Sequence, residues 1–264
     1  MKISIITATF NSGKTLRDTL ESIRLQTYQD IEAIVVDGGS KDNTLDIVRE
    51  YESLLPGKLR WISEPDKGIY DAMNKGINMA TGDIIGILNS DDFYTVDSVL
   101  ETVAQQFETH ETDAIYGDVH YVSEDLLQRK RYYSSRLFRR GWMRFGFMPA
   151  HPSFYCRREV YFKYGLFNLS YRVAADFECL LRFIFVNNIK TRYVPLDFVT
   201  MRVGGASSSG FNSHKQIMKD HLIALRENGV FSNRIMLSLR YIYKIFEVLL
   251  SKTYPITGFC HIRK

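Results

Sequence analysis

The chain is poor in cysteine: Cys156, Cys179 and Cys260 are the only three in 264 residues. They are odd in number, far apart and without the paired spacing of zinc ligands. That argues against a disulfide framework or a zinc site and for reduced structural thiols in a cytosolic protein. No uninterrupted apolar stretch is long enough to span a bilayer. The amino-terminal MKISIITATFNSG carries one Lys and an apolar run broken by Asn11, with no cleavage site. It therefore reads as a first strand and not as a signal peptide. Excess charge is also small: the formal net charge is +4, so composition demands no nucleic-acid partner, although positive charge gathers in the second half. No Gly-x-Gly-x-x-Gly follows the first strand, which argues against a dinucleotide dehydrogenase.

The first half alternates short β-rich apolar runs with amphipathic segments, the pattern of βαβ units and a mainly parallel sheet. The expected strands are Ile3 to Ala8, Ile31 to Val36, Leu59 to Ser63, Asp83 to Leu88 and Ala114 to Val122. Helices are expected over Gly13 to Gln26, Asn43 to Tyr51, Ile69 to Ala80 and Val96 to Phe107. Runs such as ISIIT and AIVV are apolar at consecutive positions, as in strands covered on both faces. From Ser123 the alternation stops, and a stretch mixing Arg with aromatics and Pro reads as a less regular, substrate-side region. A helix from about Ala174 to Asn187, a strand near Thr191 to Met201, the small-residue loop VGGASSSG and two C-terminal helices complete the expectation. On this reading residues 1–122 and 123–210 are two halves of one domain, and 211–264 the C-terminal helices.

In such sheets the ligand crevice lies beyond the carboxyl ends of the strands. The turns there are TATFNSG, VDGGSKDNT, SEPDKGIYDAMN and LNSDD, all rich in Asp, Asn, Gly and Ser. Asp91 and Asp92 repel one another, so a compensating positive charge is expected nearby. They are either a strand-ending turn with a helix cap or oxygen ligands for Mg²⁺ or Mn²⁺. Asp37 either pins its own turn or accepts a hydrogen bond from a base, with the adjacent glycines leaving room for the ring. Asp66 and Asn74 each allow an ordinary turn or helix-surface role.

In YRVAADFECLLRFIF, Phe177, Leu180, Leu181 and Ile184 follow the spacing of a buried helix face. Glu178 and Arg182 form an i,i+4 pair expected on the opposite, solvated side. Asp176 lies between these faces near the helix start, where a carboxylate is either a first-turn residue or a base. The C-terminal NRIMLSLRYIYKIFEVLLSK is apolar almost all round, with a narrow polar stripe of Arg240, Lys244, Glu247 and Ser251. It either packs on the domain or lies on the inner membrane surface, helped by the basic HIRK tail. The stretch RVGGASSSGFNSHK, Arg202 to Lys215, is either a solvated linker or a closing lid.

The ordered set IITATFN, VVDGGSKDNT, EPDKGIYDAMNKGI and ATGDIIGILNSDD resembles the family 2 glycosyltransferases, inverting enzymes of the GT-A fold that use nucleotide-sugar donors. The resemblance implies that residues 1–122 are the nucleotide-sugar-binding half and 123–210 the acceptor-side, catalytic half, and that Ala8, Phe10 and Asn11 line the nucleotide pocket. It further implies that Asp37 bonds the base, that Asp66 and Asn74 border the nucleoside, and that Asp91 and Asp92 contact ribose and metal. The chain departs from the commoner Asp-Ser-Asp-Asp in having Asn89 first. The family's base belongs to an Asp/Glu pair at a helix such as the one at 174–187, which designates Asp176, with Glu178 as fallback. His151 lies where related sequences often carry a His near acceptor and diphosphate; the alternative is a packing role.

The resemblance thus implies a metal-dependent transfer of a sugar from a UDP-sugar to a saccharide or lipid-linked saccharide in cell-surface polysaccharide biosynthesis. It implies Mn²⁺ or Mg²⁺ as cofactor, no nucleic acid as partner, and a cytoplasmic location with peripheral contact at the inner face of the membrane. A nucleotidyltransferase of similar architecture and a non-catalytic nucleotide-sugar-binding protein are the alternatives.

Overall fold

The computed structural model describes residues 1–171, 173–203 and 211–240. Cys260, the expected HIRK tail, most of the C-terminal apolar stretch and positions 204–210 of the expected lid lie outside these residues.

Four strands, β1 (Ile3–Thr9), β2 (Ile31–Asp37), β3 (Leu59–Ser63) and β4 (Ile84–Ile87), run parallel in the order β3-β2-β1-β4. Every residue of β1 and β2 is buried, because helices cover both faces of these strands. Ile6, Ile34 and Ile85 pack into one core with α3 (Ile69–Met79), while Ile3, Ile5 and Val35 point into a second core with α1 (Leu16–Arg24), α2 (Thr44–Leu54) and α4 (Val99–Thr109). Consecutive apolar residues feed both layers.

α1 starts later than expected from periodicity. Residues 12–15 form a turn held from outside, with the Ser12 amide donating to Thr44 Oγ1 (2.8 Å) and the Gly13 amide to Asp42 Oδ2 (2.9 Å). A Cβ on Gly13 would lie 1.8 Å from Asn43 Oδ1, so any larger residue there would displace the Asn43 side chain.

The region after Ser123 is more regular than its sequence suggests. A two-residue strand, β5 (Phe93–Tyr94), follows the Asp91–Asp92 turn, and β6 (Ala114–Val122) pairs with β7 (Arg129–Tyr133). The unexpected element is β8 (Phe154–Arg157), which lies antiparallel between β4 and β6 in the middle of the sheet. A four-residue strand just after His151-Pro152 carries no usable periodicity, yet Tyr155 and Cys156 are fully buried. Gly86 makes room for it: a Cβ there would meet the Tyr155 ring at 2.2 Å. β9 (Thr191–Arg202) runs parallel to β6 and pairs antiparallel with β5 at its far end.

After the short helix α5 (Arg158–Tyr164), α6 (Ala175–Leu180) continues as a π-helical turn over Leu181–Val186. The helix α7 (Phe211–Glu227) packs on α6, with the His221 ring stacked on Phe177 at 3.8 Å. Two expectations are corrected here. Glu178 and Arg182 are not on a solvated side: Glu178 is 5% exposed, and Asn228, just beyond α7, reaches its carboxylate. Arg182 turns inward to the Tyr164, Gly165 and Leu166 carbonyls. Arg240 is not on a polar stripe either; it is buried and donates to His221 Nδ1 (2.9 Å). In both cases i,i+4 spacing specifies a shared helix face but not what covers it. Cys156 and Cys179 are free and buried in one core. No described helix is long and apolar enough to cross a membrane.

Candidate active site

The turns that leave β1, β2, β3 and β4 meet at one rim, joined by their own backbones. The Gly38 amide donates to the Thr9 carbonyl (2.9 Å), and the Glu64 amide to the Asp37 carbonyl (3.0 Å). The Asn11 amide donates to Ser40 Oγ (2.7 Å), and Asn11 Oδ1 accepts from the Lys41 amide (2.8 Å). Ser12 and Ser90 hydroxyls lie 2.8 Å apart, which ties the first turn to the carboxylate turn after β4.

Asp37 is fully buried at the base of this rim. Its Oδ2 accepts from the Gly39 amide (3.1 Å), the Ser40 amide (3.0 Å) and Ser63 Oγ (2.6 Å), and its Oδ1 accepts from Ser40 Oγ. Its carboxylate is therefore occupied in shaping the turn. At Gly38, above it, a Cβ would come within 2.5 Å of Asp66 Oδ2 and 3.3 Å of Phe10 Cδ2. The Phe10 ring, 61% exposed, and the Asp66 carboxylate thus flank a bare backbone. Ala8 sits below the rim with its side chain in the core. The Asn74 amide is engaged by the chain itself: its Nδ2 donates to the Phe167 carbonyl (2.8 Å) and its Oδ1 accepts from the Phe167 amide (2.9 Å). It anchors the segment ahead of α6.

Asp91 is half-buried and Asp92 is 1% exposed. Burial raises the pKa of both, and for Asp92 the charge of Asp91 adds to the effect; Arg202 opposes it at each. The Arg202 guanidinium donates to the Asp91 carbonyl (2.7 Å) and to Asp18, and lies 5.2 Å from the Phe93 ring centroid. The positive charge that two adjacent carboxylates require is thus supplied in part by the last residue of β9. It is not sufficient: Asp92 Oδ2 and Asn89 Oδ1 are buried oxygens with no hydrogen-bond partner. Among the described residues no three His, Cys, Asp or Glu side chains cluster as a metal site. Orphaned hard oxygens beside a second carboxylate nevertheless match the donor preference of Mg²⁺ or Mn²⁺.

Asp176 and His151 neighbour one another beside α3. Asp176 Oδ1 accepts from the Phe177 amide (2.8 Å) and from the Tyr70 hydroxyl (3.3 Å), which also bonds the Val173 carbonyl. Among the described residues Oδ2 accepts no hydrogen bond. Burial raises the Asp176 pKa, with His151 acting against it. Burial lowers the His151 pKa, so its imidazole is neutral near pH 7, packed edge-on to Phe167 at 5.7 Å.

Sequence reasoning passed over Tyr70 and Arg202's reach to Asp18. The signal for Tyr70 was available in GIYDAMN, where Tyr70 and Asn74 stand i,i+4 on α3; together they grip the segment ahead of α6.

A family model, Glycosyl transferase family 2, matches residues 4–168. The chain belongs to glycosyl transferase family 2. The curated relatives of this family 2 glycosyltransferase include a PGL/p-HBAD biosynthesis glycosyltransferase of Mycobacterium tuberculosis, 35% identical over 193 residues, 72% of this chain and 73% of that protein. An uncharacterized glycosyltransferase of the same species is 35% identical over 208 residues, 76% of each chain. Among solved structures, S. aureus TarS superposes with a TM-score of 0.65 at 20% identity, covering 85% of this chain and 40% of TarS. The mannosyltransferase PcManGT of Pyrobaculum calidifontis, in complex with GDP-Man and Mn²⁺, superposes with a TM-score of 0.61 at 15% identity, covering 92% of this chain and 79% of that one. These likenesses bear out the expected GT-A fold with its mainly parallel sheet flanked by helices.

Proposed function

We propose that this glycosyltransferase moves one sugar from a UDP-sugar to a saccharide or lipid-linked saccharide, with inversion at the anomeric carbon, in cell-surface polysaccharide or glycolipid synthesis at the cytoplasmic face of the membrane. The observation that carries the reading is Asp176: one carboxylate oxygen is held by Tyr70 and the Phe177 amide, while among the described residues the other accepts no hydrogen bond.

In this reading the base stacks on the exposed Phe10 ring above Gly38, with Asp66 at its edge and Asn11 and Asp37 holding the turns that shape the slot. Asn74 acts through the Phe167 segment, and His151 stays neutral beside the base. The acceptor O–H proton passes to Asp176 Oδ2 as its oxygen bonds the anomeric carbon, and the bond from that carbon to the diphosphate breaks on the opposite face with its electron pair. Asp91 and Asp92, with Asn89 Oδ1, are the residues that would hold Mn²⁺ or Mg²⁺. Such an ion, when bound, neutralises charge developing on the diphosphate.

Support comes from the family, from the biosynthetic name of the mycobacterial relative, and from nucleotide sugars bound to two structural neighbours, UDP-GlcNAc on a TarS fragment and GDP-Man on the mannosyltransferase. The test is a thermal-shift panel of UDP, GDP and CMP sugars with and without Mn²⁺, since a ligand that binds the native state raises its melting temperature. Stabilisation by UDP-sugars that grows with Mn²⁺ is expected; indifference to every nucleotide sugar would end the proposal.

A further inference from the structure

The 3₁₀ turn Arg140–Phe145, the π-helical end of the helix that carries Asp176, and the start of the helix at residues 234–240 meet in a shallow depression at the surface. Two guanidiniums, Arg140 and Arg144, lie 5.2 and 5.3 Å from the centroid of the same ring, Phe185. Arg140 also donates to the Phe185 carbonyl and to Asn188 Oδ1. No described carboxylate pairs with Arg140, Arg144 or the exposed Arg234. The stretches 134–150 and 231–240 contain six Arg and no Asp or Glu, and only Arg240 among those six is buried.

Apolar tips stand among these charges. Ile235 is 76% exposed and Leu239, one turn on, 45%; Met236, between them, lines the depression. Ser232 Oγ donates to the Arg144 carbonyl, so the helix start is fixed against the turn. Aliphatic side chains projecting beside uncompensated guanidiniums suit a surface that is both anionic and deformably apolar. They do not suit a rigid partner, against which each unpaired Arg would need its own carboxylate.

We propose that this face is where the enzyme docks on an anionic phospholipid bilayer, with Arg140, Arg144 and Arg234 among the headgroups and Ile235 and Leu239 dipping toward the acyl boundary. Phe185 lies nine residues beyond Asp176 in one continuous helical run, roughly 14 Å along its axis at the α-helical rise. Docking here brings the end of the helix that carries Asp176 to the membrane surface, where a lipid-linked acceptor presents its sugar. The inference deepens the acceptor reading above, yet it is measured without any sugar transfer, so either one can fail alone.

Full-length protein is sedimented with vesicles of phosphatidylcholine and of mixed phosphatidylglycerol–phosphatidylcholine, at low and high salt. Binding is expected only to the anionic vesicles and to fall with salt. Arg140→Gln combined with Arg144→Gln should weaken partitioning by on the order of thirtyfold, the loss of two basic contacts at an anionic surface. Because Arg140 also holds the Phe185 carbonyl, the exposed Ile235→Ser serves as a second variant, expected to weaken partitioning several-fold with an unchanged melting temperature. Equal binding to neutral vesicles, no binding at all, or undiminished binding by both variants overturns the proposal. So does light scattering that shows the variants abolishing self-association instead, which would assign the face to a second copy of the chain.

Discussion

The Tyr70 hydroxyl lies 3.3 Å from Asp176 Oδ1, across 106 positions of sequence. The contact joins α3 to the helix that carries the proposed base. A hydrogen bond to the charged carboxylate favours that form and so lowers the Asp176 pKa. In Tyr70→Phe the acid limb of the rate profile should therefore move to higher pH. The turnover number at neutral pH should fall less than tenfold, with donor affinity retained. A pH profile identical to wild type would show that the contact does not tune the base.

Asp176→Asn should reduce turnover by roughly 10²- to 10⁴-fold, the usual contribution of a positioned base, with donor affinity near wild type by calorimetry. Because burial raises the Asp176 pKa and the base works deprotonated, wild-type activity should rise with pH through a value above the ordinary carboxylate range. Glu178→Gln should chiefly destabilise, since it removes the carboxylate that pairs with the half-buried Arg182. A dead but fully stable Glu178→Gln enzyme beside an active Asp176→Asn enzyme would reverse the assignment.

Asp92 carries the opposite stability signature from a salt-bridged carboxylate. Its folded pKa is raised, so the charged form costs stability at neutral pH, and that cost is relieved as pH falls through the folded pKa. Without metal, Asp92→Asn should melt at or above the wild-type temperature at pH 7. This advantage should vanish below the usual carboxylate range, where both states of the wild type are protonated. With Mn²⁺ and a UDP-sugar the order should invert, because the variant loses the ion-dependent stabilisation.

Glu32 behaves in the reverse sense. Burial works against its charge, but hydrogen bonds from Ser4 and from the Thr81 amide and hydroxyl, together with Lys2, outweigh it and pull the pKa to about 2. A depressed folded pKa adds stability that is present above the unfolded carboxylate value and lost as pH falls toward 2. Acid unfolding followed by circular dichroism should show a transition in that window. Glu32→Ala should flatten it while costing about 1–3 kcal/mol at neutral pH, because the Ser4 hydroxyl and the Thr81 amide lose their acceptor.

The parallel half of the fold was legible because strands covered on both faces must be apolar at consecutive positions, which leaves a plain trace in ISIIT and AIVV. The rim was legible for a related reason: the carboxyl ends of such strands are where the crevice lies, and Asp37, Asp66, Asp91 and Asp92 all fall there. β8 was not, since four residues bear no period, and its place between β4 and β6 is fixed by Gly86 and Tyr155 fitting together across 69 positions. The occupations of Asp37 and Asn74 were hidden too. Their residue types suit a ligand or the protein's own backbone equally, and only the partners, Ser40 and Ser63 for one and Phe167 for the other, distinguish the two.

The insertion of β8 also constrains how the molecule is made. While the ribosome has delivered only the first 122 residues, the parallel strands expose the outer edge of β4, and β6 has none of its three later partners, β7, β8 and β9. Such an edge is a template for pairing with other chains, and it stays open until Arg157 has emerged and β9 can close the far side. The nascent enzyme therefore passes through an interval in which its most β-prone surface depends on shielding, so its yield in cells should be governed by chaperone supply and temperature more than by the stability of the finished fold.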